Sequence, residues 1–254
     1  MQMSSDFADR LNRLDTTLFS IVPTQSSEGD RRAWLAVQRA IRAGGYSYLE
    51  TGSYLGGSIQ QHVLDPLCTH VFSIDKRPLF QPDERNEVIQ YTEASTERMM
   101  QYLRKVDPAG VSKVTTFETD ANSIDPSKIS EPPKFCFIDG EHTRAAAISD
   151  FEFCLRICDP DAAICFHDAR IIHSGLIDIL DSLKSRNVQF VARRLSGDSF
   201  GIFLRNCPAG TDKFILKNSS EPEPFFRKMR LRAIAKHLVP KSAHAFLKKM
   251  IPAP

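Results

Sequence analysis

Between residues 46 and 205, short apolar runs alternate with stretches of helical spacing, and this alternation restricts the chain more than any other feature. Runs at 46–50, 70–74, 114–118, 135–138 and 162–166 read as strands. Stretches at 58–67, 84–106, 143–158 and 174–185 read as helices. Strands separated by helices or long connections pair in parallel through crossovers. Two further runs, 189–194 and 200–205, are separated only by Leu195-Ser196-Gly197-Asp198-Ser199. That connection is too short for a parallel crossover, so these two strands pair antiparallel or lie apart. The expectation is an α/β fold: a doubly wound, Rossmann-like sheet of seven strands.

Before the alternation, 6–19 and 28–43 read as helical. The second has Ala33, Ala36, Val37, Ala40 and Ile41 at helical spacing and ends before Gly44-Gly45. The chain is therefore divided into an N-terminal helical segment (1–44), the α/β domain (45–206) and a tail (207–254). The six cysteines are scattered, several inside apolar runs, and none forms a CxxC pair with a nearby histidine set, which argues against a zinc site. The polar, acidic start is unlike a secretory signal, and no apolar run nears the roughly 20 residues of a membrane span. The expected setting is a reducing cytoplasm, with the membrane surface as the other station for the tail.

The net charge of +2 conceals an asymmetry: residues 213–254 hold ten Lys/Arg against two Asp/Glu, +8, which leaves the other 212 residues at −6. Leu231, Ile234, Ala235 and Leu238 fall at helical spacing, as do Ala243, Phe246, Leu247 and Met250 beyond Pro240. Two basic amphipathic helices are expected over 225–239 and 243–250. They are placed against the acidic body or a second subunit of a homo-oligomer, or on an anionic membrane surface. No nucleic acid is expected, because the tail has no Trp or Tyr to stack on bases.

Chemistry concentrates at strand ends. The first strand runs into Glu50-Thr51-Gly52-Ser53-Tyr54-Leu55-Gly56-Gly57-Ser58. Gly52 allows a tight turn and close backbone approach to a ligand, Gly56 and Gly57 a sharp entry into the helix, and Ser58 suits its N-cap. A dinucleotide site prefers GxGxxG. Here the spacing is G-x-x-x-G-G, and Glu50 would repel a pyrophosphate while favouring a cation such as a sulfonium-ammonium ligand. Asp75 ends the second strand, twenty-three residues after Gly52, in range to accept two ribose hydroxyls. Asp120, followed by Ala121, ends the third and suits an adenine amino group.

This glycine loop and these acidic strand ends, with Phe137-Ile138-Asp139-Gly140-Glu141-His142-Thr143 and Ile164-Cys165-Phe166-His167-Asp168-Ala169, resemble class I S-adenosylmethionine-dependent methyltransferases. More narrowly, they resemble methyltransferase family 24, which includes sugar O-methyltransferases. The resemblance covers roughly 45–205. It implies strand order 3-2-1-4-5-7-6 with strand seven antiparallel. It also implies S-adenosyl-L-methionine as cofactor, bound by Glu50, Gly52, Ser53, Gly56, Ser58, Asp75, Asp120, Ala121 and Asp139.

Asp139 and Asp168 follow adjacent strands, about 4.8 Å apart, so their carboxylates can converge on a divalent metal such as Mg2+. Transfer of a methyl group to a hydroxyl requires loss of a proton, and histidine is the usual base near neutral pH. In the resembled sugar enzymes a D-G-x-H histidine is the proposed base, which maps to His142; His167 is the rival. His167 stands where some metal-dependent relatives carry a carboxylate, which draws the metal toward zinc, manganese or iron. Asp159-Pro160-Asp161-Ala162 stands where the family usually has Pro-Gly-Gly. The function expected is O-methylation of a sugar or other small-molecule hydroxyl, a glycan included. The alternatives are a metal-independent small-molecule methyltransferase, or a non-catalytic scaffold with a docking tail.

Overall fold

The computed structural model describes residues 2–85, 87–92 and 94–238. Three elements precede the sheet: α1 (Gln2–Asn12), a 3-10 turn (Thr16–Phe19) and α2 (Glu28–Ile41). The expected helix over 6–19 thus ends early. Asp15 caps the turn by accepting the Thr17 N–H, a side-chain bond that competes with helix continuation. Helix α2 opens with a capping box in which Ser27 and Asp30 satisfy each other's backbone N–H.

The sheet then begins with β1 (Tyr46–Thr51), followed by the short α3 (Gln60–Leu64) and β2 (Cys68–Ile74). Where one long helix over 84–106 was expected, the chain instead forms a hairpin, β3 (Phe80–Pro82) and β4 (Val88–Gln90), before α4 (Thr96–Val106). Asp83 accepts the Arg85 and Glu87 N–H groups to fold the turn, and Ser95 caps the helix that starts only at Thr96. The remaining elements are β5 (Val114–Phe117), β6 (Phe135–Ile138), α5 (Arg144–Ile157), β7 (Ala163–Phe166), α6 (His173–Ser185), β8 (Phe190–Arg194) and β9 (Phe200–Leu204). Two helices close the described chain, α7 (Lys213–Lys217) and α8 (Pro222–Leu238).

The main sheet runs β5-β2-β1-β6-β7-β9-β8, with β9 antiparallel to both neighbours. Counted without the hairpin, this is the 3-2-1-4-5-7-6 order expected. Period-two alternation divides the core. Phe135 and Phe137 of β6 join α2, Tyr48 and Phe203 on one face, while Cys136 and Ile138 join α5, α6 and Phe166 on the other. The turn before β7 closes without its glycines, because Asp159 accepts the Asp161 N–H on its side chain and the Ala162 N–H on its carbonyl. All six cysteines are free.

Beyond Asn206 the chain stays on the body: Cys207, Ala209 and Ile215 are buried in the first core layer and Phe226 in the second. Helix α8 starts three residues earlier than expected. Phe225 and Phe226 meet the body, with Phe226 against Phe200, while Leu231 and Ile234 on its other side are exposed. Of the apolar row expected on this helix, Leu231 and Ile234 thus face solvent and not the body. The second expected helix, over 243–250, lies outside the described residues. Among the described residues no helix is long and apolar enough to cross a membrane.

Candidate active site

Four parallel strands end on one side of the sheet, and the backbone ladder continues one residue past each. Gly52 N–H donates to Ile74, Asp75 to Phe117, Asp139 to Thr51 and His167 to Ile138. This places four predicted site residues in a row at the carboxyl edge. The chain leaves β1 for β2 on one flank and returns to β6 on the other, so the row spans the point where strand order reverses, where open α/β sheets bind ligands.

Two hollows adjoin along this row and share Gly52, Asp75 and Gln81. The larger, with about 690 Å³ of empty space, reaches Ser53, Ser58, Asp139, His142, His167 and Asp168. The smaller, about 430 Å³, is walled by Asp120, Ala121, Glu141 and Asp150. Of the nine residues expected to bind cofactor, seven face these hollows, Asp139 among them. Glu50 and Gly56 do not line either.

Glu50 lies beneath the loop, fully buried, accepting hydrogen bonds from Tyr48 Oη (2.6 Å) and Ser58 Oγ (2.5 Å). Burial pushes its pKa up to about 8 despite those bonds. Ser58 is thus engaged by Glu50 and does not cap α3, which begins at Gln60 and has no side-chain cap. Gly56 faces Met99 and Leu103 of α4. Gly52 adopts φ +84°, and a Cβ on it would lie 2.2 Å from the Asp139 carbonyl oxygen, so only glycine lets this loop close onto the end of β6.

Asp75 sits at the junction of the hollows. Its Oδ2 accepts the Tyr54 N–H (2.8 Å) and its Oδ1 the Arg77 N–H (2.7 Å). A carboxylate offers about four lone-pair sites, so two remain for ligand hydroxyls. Asp120 caps a 3-10 turn by accepting the Asn122 N–H and pairs with Lys76 Nζ at 3.2 Å. Desolvation notwithstanding, these partners hold its carboxyl below the usual range.

The residues expected at the reaction site gather at the other end. His142 Nε2 lies 3.2 Å from Asp168 Oδ2 and 3.6 Å from Asp139 Oδ1. Neither contact has hydrogen-bond geometry, so this buried nitrogen is without a hydrogen bond. Burial opposes protonation of His142, but the two carboxylates raise its pKa overall. One ligand atom each from Asp139, His142 and Asp168 lies within 4.8 Å of the others. Two carboxylate oxygens and one imidazole nitrogen around a common point form a donor set that fits a divalent cation, and the unbonded nitrogen is what such an ion would satisfy. Asp168 occupies the left-handed region (φ +49°), strain of the kind concentrated at functional sites.

His167 is placed differently. Its Nδ1 meets Asp139 Oδ1 at 3.1 Å and its Nε2 lies 3.7 Å from Asp30 Oδ2. Burial would lower its pKa, yet the surrounding Asp139, Asp30 and Asp168 push it up to about 11. Asp30 is a site residue that sequence patterns do not reveal, because Ser27-x-x-Asp30 reads fully as a helix cap. The same is true of Pro23, Thr24 and Gln25, which wall the larger hollow. Tyr91 and Gln81 reach it from the hairpin that the sequence hides.

Residues 49–169 match the family model described as a methyltransferase domain, Methyltransf_24. Among solved structures, the fold is similar to the O-methyltransferase TomG from Streptomyces achromogenes, involved in tomaymycin synthesis and solved with SAM. That comparison has a TM-score of 0.50 and 14% identity and covers 80% of this chain and 89% of that one. It is equally similar to the cofactor-bound Rv0187 from MTB, with a TM-score of 0.50, 10% identity and coverage of 81% and 90%. No curated protein matches this chain.

Proposed function

We propose that this chain, a class I S-adenosylmethionine-dependent methyltransferase with a family 24-type domain over residues 49–169, transfers the methyl group to a hydroxyl of a sugar or similar polyhydroxylated acceptor. The observation that carries the proposal is the convergence of Asp139, His142 and Asp168 beside the larger hollow.

S-adenosylmethionine supplies an electrophilic methyl carbon on a sulfonium. Asp75 holds the ribose through its two free lone-pair sites, and Asp120 with Ala121 bounds the adenine side. Gly52 brings loop backbone to the junction of the two hollows. Glu50 acts from below, fixing the loop through Ser58.

On the acceptor side, the groove beyond Asp168 is walled by Glu84, Arg85, Arg170, His173, Ser174 and Asp198, with Ile171 the one apolar side chain. A polyhydroxylated acceptor can satisfy such a rim where an apolar one would strand it. The acceptor oxygen forms its new bond to the methyl carbon, the carbon–sulfur bond breaks, and the hydroxyl proton is taken up within the cluster. Asp168 Oδ2 is the carboxylate oxygen facing His142 Nε2 there. Asp139, His142 and Asp168 would hold a divalent cation, which would lower the pKa of a bound hydroxyl and orient a diol. The imidazole favours manganese, zinc or iron over magnesium. His167, engaged on both nitrogens, serves the cluster as support and not as the base.

A second reading has no metal: the unbonded His142 Nε2 is itself the proton acceptor. Turnover on a panel of sugar acceptors, with and without EDTA and with added Mn2+ or Mg2+, separates the two. Loss in EDTA and recovery with metal, together with loss of metal binding in Asp168→Asn, supports the metal site. Full turnover in EDTA with loss in His142→Ala supports the histidine base. No turnover on any sugar, with turnover on amine or thiol acceptors assayed alongside, overturns the O-methylation proposal.

A further inference from the structure

The match to the family model begins at residue 49, yet side chains from before it reach His167, which adjoins the cluster. Asp30, on the first turn of α2, is almost fully buried. Its Oδ2 accepts the Ser27 N–H and Oγ (3.0 and 2.5 Å) and lies 3.7 Å from His167 Nε2. Its Oδ1 accepts the Asp198 N–H (2.6 Å) and the Ser199 Oγ (2.8 Å) in the turn between β8 and β9. The other nitrogen of His167 meets Asp139, and the edge of Trp34, one helical turn after Asp30, packs on the imidazole with ring centres 5.5 Å apart. Trp34 is in turn anchored by its Nε1–H to Ser199 Oγ at 2.9 Å.

The fit is close on both sides. Gly197 adopts φ +71°, and a Cβ there would stand 2.2 Å from Asp30 Oδ1. The turn can wrap the Asp30 carboxylate only because this residue is glycine.

We infer that Asp30 is a positioning residue for the reaction, the outer end of a chain Asp30–His167–Asp139 that fixes the orientation of the Asp139 carboxylate in the cluster. A carboxylate that rotates freely would lose its aim at the common point it shares with His142 and Asp168, and outer-shell partners of this sort typically govern metal affinity by about 10–100-fold. The inference rests on the metal reading of the cluster only for that second effect.

The test uses the full chain as Asp30→Ala, Asp30→Asn and Ser199→Ala. The first readout is the His167 imidazole by 1H–15N spectroscopy without added metal, and the second is Mn2+ affinity by calorimetry. In Asp30→Ala, the Nε2 environment of His167 should change and Mn2+ affinity should fall by about 10-fold or more. Asp30→Asn, which keeps an oxygen for only one of the two donor sets, Ser27 on Oδ2 or Asp198 and Ser199 on Oδ1, should show a smaller change of the same kind. Ser199→Ala removes the hydroxyl shared by Asp30 and Trp34, so it should lower thermal stability and shift the His167 resonances less than Asp30→Ala does. Unchanged His167 resonances in both Asp30 variants would overturn the inference. Their change with no Mn2+ binding in any form, wild type included, would overturn the metal reading and leave Asp30 positioning His167.

Discussion

Ser58 Oγ donates to Glu50 Oε1 at 2.5 Å, across the turn that separates the first strand from the first crossover helix. The bond ties the floor of the glycine loop to a carboxyl group that is wholly removed from water.

That burial has a pH signature. In the unfolded chain Glu50 loses its proton near its ordinary value of 4.5, whereas in the folded protein it keeps it up to about 8. Between those values the folded state binds the extra proton, so raising the pH favours unfolding, by about 1.4 kcal/mol per pH unit across the window. Stability curves of the wild type and Glu50→Gln, measured by denaturant unfolding from pH 4 to 9, should diverge over this range, with the wild type falling relative to the variant. Parallel curves would mean that Glu50 is ionised and solvated in the native state.

Asp75 is the second point of test. Its carboxylate holds the loop through the Tyr54 and Arg77 N–H groups and borders both hollows. Asp75→Ala should weaken S-adenosylhomocysteine binding by about 1.5–3 kcal/mol, the range for hydrogen bonds to a charged group. Calorimetric titration decides it, and an unchanged affinity would place the ribose elsewhere.

Gly52→Ala combines a left-handed backbone with a Cβ inside the space of the Asp139 carbonyl. The conformation alone costs about 1–3 kcal/mol, and displacement of β6 adds to it. Thermal unfolding should show a lower midpoint, and cofactor affinity should drop with it. A variant as stable as the wild type would show that the loop has room to move away from β6.

The sheet was legible because its signal is local. Each strand is a short apolar run bounded by turn residues, and the five-residue link between 194 and 200 leaves no parallel option. The acidic strand ends were legible for the same reason, since a residue that follows a parallel strand falls on the carboxyl edge wherever the strand sits. The hairpin was not. Residues 84–95 carry enough charge to imitate an exposed helix, and the side-chain bonds of Asp83 to the Arg85 and Glu87 N–H groups decide against it. Glu50 was placed correctly in the chain but not in depth, because nothing local announces that Tyr48 and Ser58 will enclose it. Asp30 was out of reach altogether: its meaning depends on His167, brought to it by the whole sheet.

The bond from Asp198 N–H to Asp30 joins residues 168 positions apart. During synthesis from the amino terminus, helix α2 and every parallel strand can form before the turn that clasps Asp30 has left the ribosome. The cluster of Asp139, His142 and Asp168 therefore gains this outer support late, and a chain truncated ahead of Asp198 would lack the turn that holds Asp30.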